Sequence, residues 1–166
     1  MTDNDSLLAY VGLGGNLGDA RTRILEAFGA LARIPRTRLL RRSRLYRTRP
    51  WGIAGQPDFI NAAAELDTRL TPRELLDALL AIERANGRVR DARRWGPRTL
   101  DLDLLVFGDL RIDEPGLTLP HPRIGERAFV LMPLAELAPQ LPIGEAGSVR
   151  ERLAQVDTAG CSLVEE

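Results

Sequence analysis

The chain has 166 residues, of which 44% are hydrophobic and 28% charged, and these values predict one globular domain over residues 1–166. No apolar run in the sequence approaches the roughly 20 residues needed to cross a bilayer. Its net charge is zero and all 23 basic residues are arginine, which excludes a lysine-based phosphate site and leaves phosphate to arginine and backbone. Cys161 is the only cysteine, which excludes a disulfide within the chain and indicates a reducing, cytoplasmic setting.

The first half of the chain alternates strands, helices and turns. After six residues that we expect to be disordered, the apolar run 7–11 predicts a buried strand and the glycine-rich stretch 12–16 predicts a turn. A helix follows, with apolar residues at helical spacing, and it is expected to end at Pro35. Strands are predicted from about 38 to 47 and from 59 to 66, joined by a loop rich in Pro and Gly.

The second half opens with a strong helix signal. Thr71-Pro72-Arg73-Glu74 is a capping box with proline at the first helical position, so a helix is expected from there to Asn86. An arginine-rich loop and a strand from 99 to 107 follow. Gly108-Asp109 indicates a turn into a small strand pair, and the remainder predicts short helices, broken at Pro133.

The order of these elements indicates the fold class. Strand, helix, strand, strand, helix, strand is the order of a ferredoxin-like α+β sandwich, an antiparallel sheet with helices packed on it. The small hairpin and the short helices would be additions at its C-terminal end.

Two carboxylates in the last principal strand are the clearest candidates for chemistry. Because strand side chains alternate between faces, Asp101 and Asp103 should point the same way, while Leu100, Leu102 and Leu104 enter the core. Two such carboxylates, about 7 Å apart on a rigid strand, can bind a hard cation and leave room for water and phosphate oxygens. A solvated strand face is the simpler alternative, but the nearby arginines favour a metal site.

The loop before this strand is rich in cations. Five arginines fall within eleven residues, at Arg88, Arg90, Arg93, Arg94 and Arg98. They would repel one another unless anions compensate them, and arginine suits bidentate contacts with phosphate. Two glycines would let the loop close over a nucleotide. Acidic strand and basic loop together indicate metal-assisted phosphoryl transfer, although an exposed charged loop is the alternative.

Three other features have weaker signals. A lone histidine is usually structural, but the position of His121 between two prolines favours a phosphate contact over helical packing. Phe59 and Asn61 share one strand face and could hold a flat, hydrogen-bonding heterocycle, although ordinary packing is commoner. The run 41–44, with three arginines, could bind nucleic acid, but a solvated strand edge is the simpler interpretation.

Several motifs in order point to one family. Arg94-Trp95-Gly96-Pro97-Arg98-Thr99-Leu100-Asp101-Leu102-Asp103 resembles the defining motif of the 6-hydroxymethyl-7,8-dihydropterin pyrophosphokinases of folate biosynthesis. The resemblance covers roughly residues 8–140, through segments 12–18, 56–62 and 120–123 among others. It implies an ATP-dependent diphosphotransferase, which moves diphosphate from ATP to the hydroxymethyl group of the pterin and releases AMP.

The resemblance also implies roles for individual residues. Asp101 and Asp103 would hold two Mg²⁺ ions that bridge the ATP phosphates, and Arg88 and Arg98 would stabilise charge that develops at the β-phosphate. The nucleotide would be bound by Glu83, Arg90, Trp95, His121 and Arg127. The pterin would be bound by Phe59, Phe129 and Asn61 and by backbone from Thr48 to Gly52. A monomer is expected, with no membrane or nucleic-acid partner.

The chain departs from the family pattern at three positions. Gly15 stands where serine is commoner, Leu80 replaces a polar residue found on the ATP side in some members, and Pro122 replaces an aromatic residue found in some members after the histidine. The last two bear on the adenine and ribose contacts. The general base for the pterin hydroxyl is left open: Asp103 is a candidate, but a carboxylate bound to magnesium is a weak base, and charge neutralisation could suffice.

Two alternatives belong to other classes. Residues 1–50 carry ten arginines against four acids, which would suit a ferredoxin-like nucleic-acid-binding module. Such modules stack bases on sheet aromatics, and aromatic residues are only 5% of this chain, whose net charge is zero. A two-metal nuclease built on the Asp pair would need further carboxylates, and none is evident in the sequence.

Overall fold

The computed structural model describes residues 6–16, 18–48, 58–86 and 100–164. The strands are β1 (Leu7–Gly15), β2 (Thr37–Arg42), β3 (Tyr46–Thr48), β4 (Phe59–Thr68), β5 (Asp101–Phe107), β6 (Ile112–Glu114), β7 (Leu117–Leu119) and β8 (Cys161–Leu163). The helices are α1 (Ala20–Ala32), α2 (Pro72–Ala85), α3 (Ala128–Leu137) and α4 (Val149–Leu153). Within these ranges no helix is both long and apolar enough to span a membrane.

The main sheet has the strand order expected of a ferredoxin-like fold. Its order is β5-β1-β4-β3-β8, and β2 pairs with β4 as well. Every pairing within it is antiparallel. Because β2 and β3 bind successive stretches of β4, they act as one interrupted strand, and the βαββαβ order predicted from the sequence is confirmed. The hairpin β6–β7 is also confirmed, as a separate two-stranded sheet.

Helices cover both faces of the main sheet. The larger core joins one sheet face to α1 and α2, through buried residues such as Ile24, Phe28, Leu75 and Leu79. A second core joins the other face to α3 and α4, and its members include Tyr10, Ala63, Leu105, Leu131, Leu134 and Val149. The second face is also the one that carries the candidate site, so α3 lies beside that site.

The glycine-rich turn predicted for 12–16 is wrong, because β1 continues through Gly15. Gly14 pairs with Asn61 of β4 on one side and with Asp101 of β5 on the other. Glycine weakens a strand that stands alone, but pairing on both edges supplies the backbone hydrogen bonds that keep this segment extended. Gly14 marks a close approach to the Asn61 side chain rather than a turn.

The single strand predicted for 38–47 is interrupted. At Ser43 the backbone N–H still donates to the carbonyl of Ala63, and the Ser43 hydroxyl accepts from the Ala63 N–H at 2.8 Å. A side chain thus takes the place of a backbone acceptor, and residues 43–45 belong to neither strand. Leu45, within this interruption, is only 1% exposed.

The break predicted at Pro133 is also wrong, because Pro133 lies inside α3. An internal proline costs a helix about 3 kcal/mol through the missing N–H and a steric clash. Burial compensates here, since Leu131 and Leu134 on the same helix are fully buried in the second core. Packing of α3 on the sheet therefore outweighs the local preference.

Several local predictions are confirmed. Thr71 and Glu74 form the capping box of α2, each side chain accepting from the other's backbone N–H. Helix α1 ends at Ala32, shortly before Pro35. The C-terminal edge strand β8 has no signal in the sequence. Of the six residues expected to be disordered, 1–5 lie outside the described ranges, whereas the side chain of Ser6 hydrogen-bonds to Asp67.

Candidate active site

A row of paired residues crosses the main sheet and forms the floor of the candidate site. Asp101 pairs with Gly14, Gly14 with Asn61, and Asn61 with Tyr46. Residues directly opposite each other in antiparallel strands project from the same face. Asp101 and Asn61 therefore project from one face, separated by a residue that has no side chain.

The alternation predicted for β5 is confirmed. Leu102 and Leu104 are buried in the core formed with α1 and α2. Asp101 and Asp103 are half-buried and lie on the opposite face, where Asp103 pairs with Gly12. Each carboxylate thus has a glycine beside it on β1.

Glu83 lies behind the two aspartates. It projects from α2, is 4% exposed, and accepts a hydrogen bond of 2.7 Å from the backbone N–H of Leu102. Leu102 is the residue between Asp101 and Asp103. Glu83, which is expected to bind nucleotide, thus also links α2 to β5 through a buried hydrogen bond.

The amide of Asn61 is fixed by Thr48. Asn61 Nδ2 donates to Thr48 Oγ1 at 2.7 Å, and the two residues are 6% and 9% exposed. Thr48 pairs with Phe59, so the ring and the amide predicted to bind a heterocycle stand on one face with Thr48. Phe59 is half-buried at the start of β4.

His121 reaches the same region from the segment after β7. The backbone N–H of His121 donates to the carbonyl of Leu105, and its ring Nδ1 accepts from the backbone N–H of Arg123 at 3.2 Å. Burial lowers the pKa of His121, the charge of Arg127 lowers it further, and Asp101 opposes them. The imidazole is therefore neutral at pH 7, and with Nδ1 accepting, the ring proton is on Nε2, which can donate.

Arg127 and Phe129 lie at the start of α3. Arg127 is the residue that precedes the helix, and its guanidinium lies 5.5 Å from the centroid of the Phe129 ring. This cation–π contact holds a cation and an aromatic ring together at the helix end beside the site. Both were predicted from the family resemblance.

Five predicted site residues lie outside the described ranges. They are Gly52, Arg88, Arg90, Trp95 and Arg98. The described structure brings Asp101, Asp103, Glu83, Asn61 and Thr48 onto adjoining strands and the helix behind them. Within the described residues, no group of three His, Cys, Asp or Glu side chains is placed to hold a metal ion.

Two hydrogen-bonded clusters that attach α3 to the sheet were missed. In one, Tyr10 donates to Glu65 at 2.5 Å, Arg41 pairs with Glu65 at 3.0 Å, and Arg41 also donates to the Leu137 carbonyl. Burial raises the pKa of Tyr10, and the hydrogen bond from Arg41 lowers the pKa of Glu65. The interpretation of Arg41 as part of a merely solvated edge is therefore incomplete.

The second cluster lies next to Asn61. Tyr46 donates to Glu136 at 2.7 Å, and Glu136 also accepts from the backbone N–H and the guanidinium of Arg44. Burial raises the pKa of Tyr46 to about 12, and the bond to Glu136 adds to the shift. Two-residue spacing could have placed Tyr46 on the face of Thr48, but nothing local indicates its partner 90 residues away.

Comparison with known proteins identifies the family. The model of the 7,8-dihydro-6-hydroxymethylpterin-pyrophosphokinase (HPPK) family matches residues 10–139. The chain belongs to this family. The matched segment includes every described residue of the candidate site, and the resemblance drawn from the motifs is confirmed.

Two bacterial HPPK relatives match over nearly their whole length. The chain is 50% identical over 157 residues to the 2-amino-4-hydroxy-6-hydroxymethyldihydropteridine pyrophosphokinase of Methylorubrum extorquens, covering 95% of this chain and 98% of that protein. It is 53% identical over 145 residues to the protein of the same name from Pseudomonas aeruginosa, covering 87% and 89%.

Solved structures of HPPK-DHPS proteins share the fold. The wild-type Plasmodium falciparum protein with STZ-DHP matches with a TM-score of 0.70 at 14% identity, covering 93% of this chain and 44% of that chain. An HPPK-DHPS in complex with substrates matches with a TM-score of 0.68, covering 90% and 43%. This chain spans less than half of those longer proteins, and at such identity the likeness shows the fold alone.

Proposed function

We propose that the protein transfers diphosphate from ATP to the hydroxymethyl group of 6-hydroxymethyl-7,8-dihydropterin, giving AMP and the pterin diphosphate, a step of folate biosynthesis. A bond forms between the hydroxymethyl oxygen and the β-phosphorus, and the bridge between the α- and β-phosphates breaks. The observation that supports the proposal is the pairing of Gly14 with Asn61 on one side and with Asp101 on the other. Asn61 is suited to bind a heterocycle, and Asp101 is suited to hold a metal ion that binds phosphate.

The aspartate pair fits a divalent cation bound together with ATP. Two half-buried carboxylates share one strand face, beside Gly12 and Gly14 of β1. We propose that Asp101 and Asp103 would hold two Mg²⁺ ions that bind together with ATP. When bound, the ions would neutralise charge on the phosphates and orient the β-phosphate.

The roles of the protein side chains follow from their positions and from the family. The pterin ring is expected between Phe59 and Phe129, with Asn61 bonded to its polar edge and backbone from Thr48 to Gly52 closing the pocket. His121 would donate Nε2–H to a phosphate oxygen, as its neutral state allows.

Glu83 would support the nucleotide side by fixing the aspartate-bearing strand to α2. Arg127 would add positive charge beside the nucleotide. Arg88, Arg90, Trp95 and Arg98 are assigned to nucleotide binding and charge stabilisation by family resemblance alone. Asp103 is a candidate acceptor for the hydroxyl proton, although a bound metal would reduce its basicity.

We further propose that residues 1–166 work as a single domain and as a monomer, in the cytoplasm. The single cysteine, Cys161, supports a reducing compartment, and it is a free and buried thiol. Nucleic acid and membrane are not expected as partners. These statements rest on composition and family.

One assay tests the proposed function. The protein is mixed with ATP, Mg²⁺ and 6-hydroxymethyl-7,8-dihydropterin, and AMP is quantified with and without the pterin. A pterin-dependent rise in AMP supports the proposal. Absence of that rise, together with a salt-sensitive affinity for RNA, would favour the nucleic-acid-binding alternative instead.

A further inference from the structure

Gly14 lies in a close contact that no other residue type could occupy without change. A Cβ atom built at Gly14 would lie 2.7 Å from Oδ1 of Asn61, and its next neighbour, the Ile60 carbonyl oxygen, is 3.7 Å away. The contact is thus with one atom, the oxygen of the candidate pterin-binding amide. Gly14 does not have a positive φ, so backbone conformation does not require glycine here.

The Asn61 amide could escape such a contact only by breaking a hydrogen bond. Its Nδ2 donates to Thr48 Oγ1 at 2.7 Å. Thr48 holds one end of the amide, and the bare backbone of Gly14 accommodates the other. Because Asn61 is 6% exposed, rotation would also bring its polar atoms against closely packed neighbours.

We propose that Gly14 and Thr48 are positioning residues that fix the orientation of the Asn61 amide and thereby set the affinity for the pterin. This inference rests on the proposed function. With one N–H engaged by Thr48, Asn61 presents its second N–H and its carbonyl oxygen. This donor–acceptor pair is complementary to a heterocycle edge that offers an acceptor next to a donor.

The chain supplies a matched control in the same strand. Gly12 has the same alternation as Gly14 and pairs with Asp103 and Ala63. A Cβ at Gly12 would lie 3.5 Å from the Leu105 side chain, an ordinary van der Waals contact. Gly12→Ala therefore adds the same methyl group to β1 without touching Asn61.

The first experiment compares dissociation constants for 6-hydroxymethyl-7,8-dihydropterin and, separately, for ATP with Mg²⁺. Gly14→Ala should weaken pterin binding by roughly ten- to a hundredfold, the range for a polar group that loses its aligned partner. Its ATP affinity should stay within about twofold of wild type, and Gly12→Ala should leave both affinities within that margin. Equal pterin affinity in the two variants would overturn the proposal.

A double-mutant cycle separates this mechanism from general damage to the strand. In an Asn61→Ala background, Gly14→Ala should cause less than about a twofold further loss, because the atom it would strike is gone. A full additional loss in that background would contradict the assigned contact.

Thr48 gives a second route should Gly14→Ala fail to fold. Thr48→Val keeps the shape but removes the acceptor, and should weaken pterin binding by about tenfold, whereas Thr48→Ser keeps the oxygen and most of the affinity. Equal affinities of these two variants would contradict the role of the hydroxyl. Failure of the wild-type protein to bind pterin would instead refute the proposed function, so the two failures are distinguishable.

Discussion

Asp101 and Asp103 are the residues on which the proposed chemistry depends most. They lie on the site face of β5, away from the core that Leu102 and Leu104 enter. We expect Asp101→Ala and Asp103→Ala each to lower diphosphate transfer by at least about a hundredfold, because the cations that would neutralise transition-state charge lose a protein ligand. Steady-state rates at saturating substrates measure the effect.

The same variants should stay folded, since neither aspartate belongs to either apolar core. Circular dichroism and thermal unfolding check this. Asp113→Ala, at an exposed position of the β6–β7 hairpin, is the matched control and should retain full activity. Full activity in both site variants would contradict the metal assignment.

At the scale of single residues, alternation along a strand is what sequence can predict. It placed Asp101 with Asp103, and Phe59 with Asn61, on shared faces. It could not predict that Asn61 bonds Thr48 or that Glu83 bonds the N–H of Leu102, because these contacts join residues 13 and 19 positions apart. Such pairs are fixed by strand register and helix packing, which have no local sequence signature.

The capping box of α2 is a prediction at the scale of the element. Thr71 accepts from the Glu74 N–H at 3.1 Å, and Glu74 accepts from the Thr71 N–H at 2.9 Å. Thr71→Ala should lower the free energy of unfolding by about 1 kcal/mol, as measured in urea, because it leaves a helix N–H without its acceptor. Thr71→Ser retains the oxygen and should stay within about 0.5 kcal/mol of wild type; equal losses in both variants would exclude the cap as the cause.

The attachment of α3 to the sheet predicts a dependence of stability on pH. The hydrogen bond from Arg41 holds the pKa of Glu65 below its ordinary value of 4.5. A carboxylate whose pKa is lower in the folded state than in the unfolded state stabilises the fold at pH values above its unfolded-state pKa. That stabilisation is lost as the pH falls through the folded-state pKa. Glu65→Gln should therefore cost roughly 1–2 kcal/mol at pH 7, a figure reduced by the exposure of Arg41.

The difference between wild type and Glu65→Gln should shrink as pH is lowered from 4.5, in urea unfolding followed at several pH values. Glu114→Gln is the control, because Glu114 forms an ion pair with Arg73 at 2.8 Å but its own side chain is more than half exposed. That control should cost less than about 0.5 kcal/mol at any pH. A constant difference for Glu65→Gln across this range would contradict the ion pair as its source.

Errors at the element scale have a common physical cause. The turn expected at 12–16 and the helix break expected at Pro133 both followed from local preferences of glycine and proline. In each case long-range contacts outweighed the preference: pairing on both sides of Gly14, and burial of α3 against the sheet. The split between β2 and β3 arises likewise from the bond of Ser43 to Ala63 in another strand.

At the scale of the molecule, the order of elements was enough to predict the topology. Hydrophobic periodicity and one capping box located the principal strands and helices, and few antiparallel arrangements accommodate βαββαβ. β8 was not predictable, because a three-residue strand at a sheet edge has no periodicity of its own. The fold brings the start of β4, the end of β1 and the start of β5 side by side, which is how residues far apart in sequence form one site.

In the proposed reaction, this site moves two phosphoryl groups from ATP in one step. The most direct measurement uses ATP labelled at its β- and γ-phosphates, with Mg²⁺ and 6-hydroxymethyl-7,8-dihydropterin, and follows the label by chromatography. We expect one AMP for each pterin diphosphate, with both labels in the pterin product. Release of ADP with a pterin monophosphate, or label that never reaches the pterin, would contradict the proposed reaction.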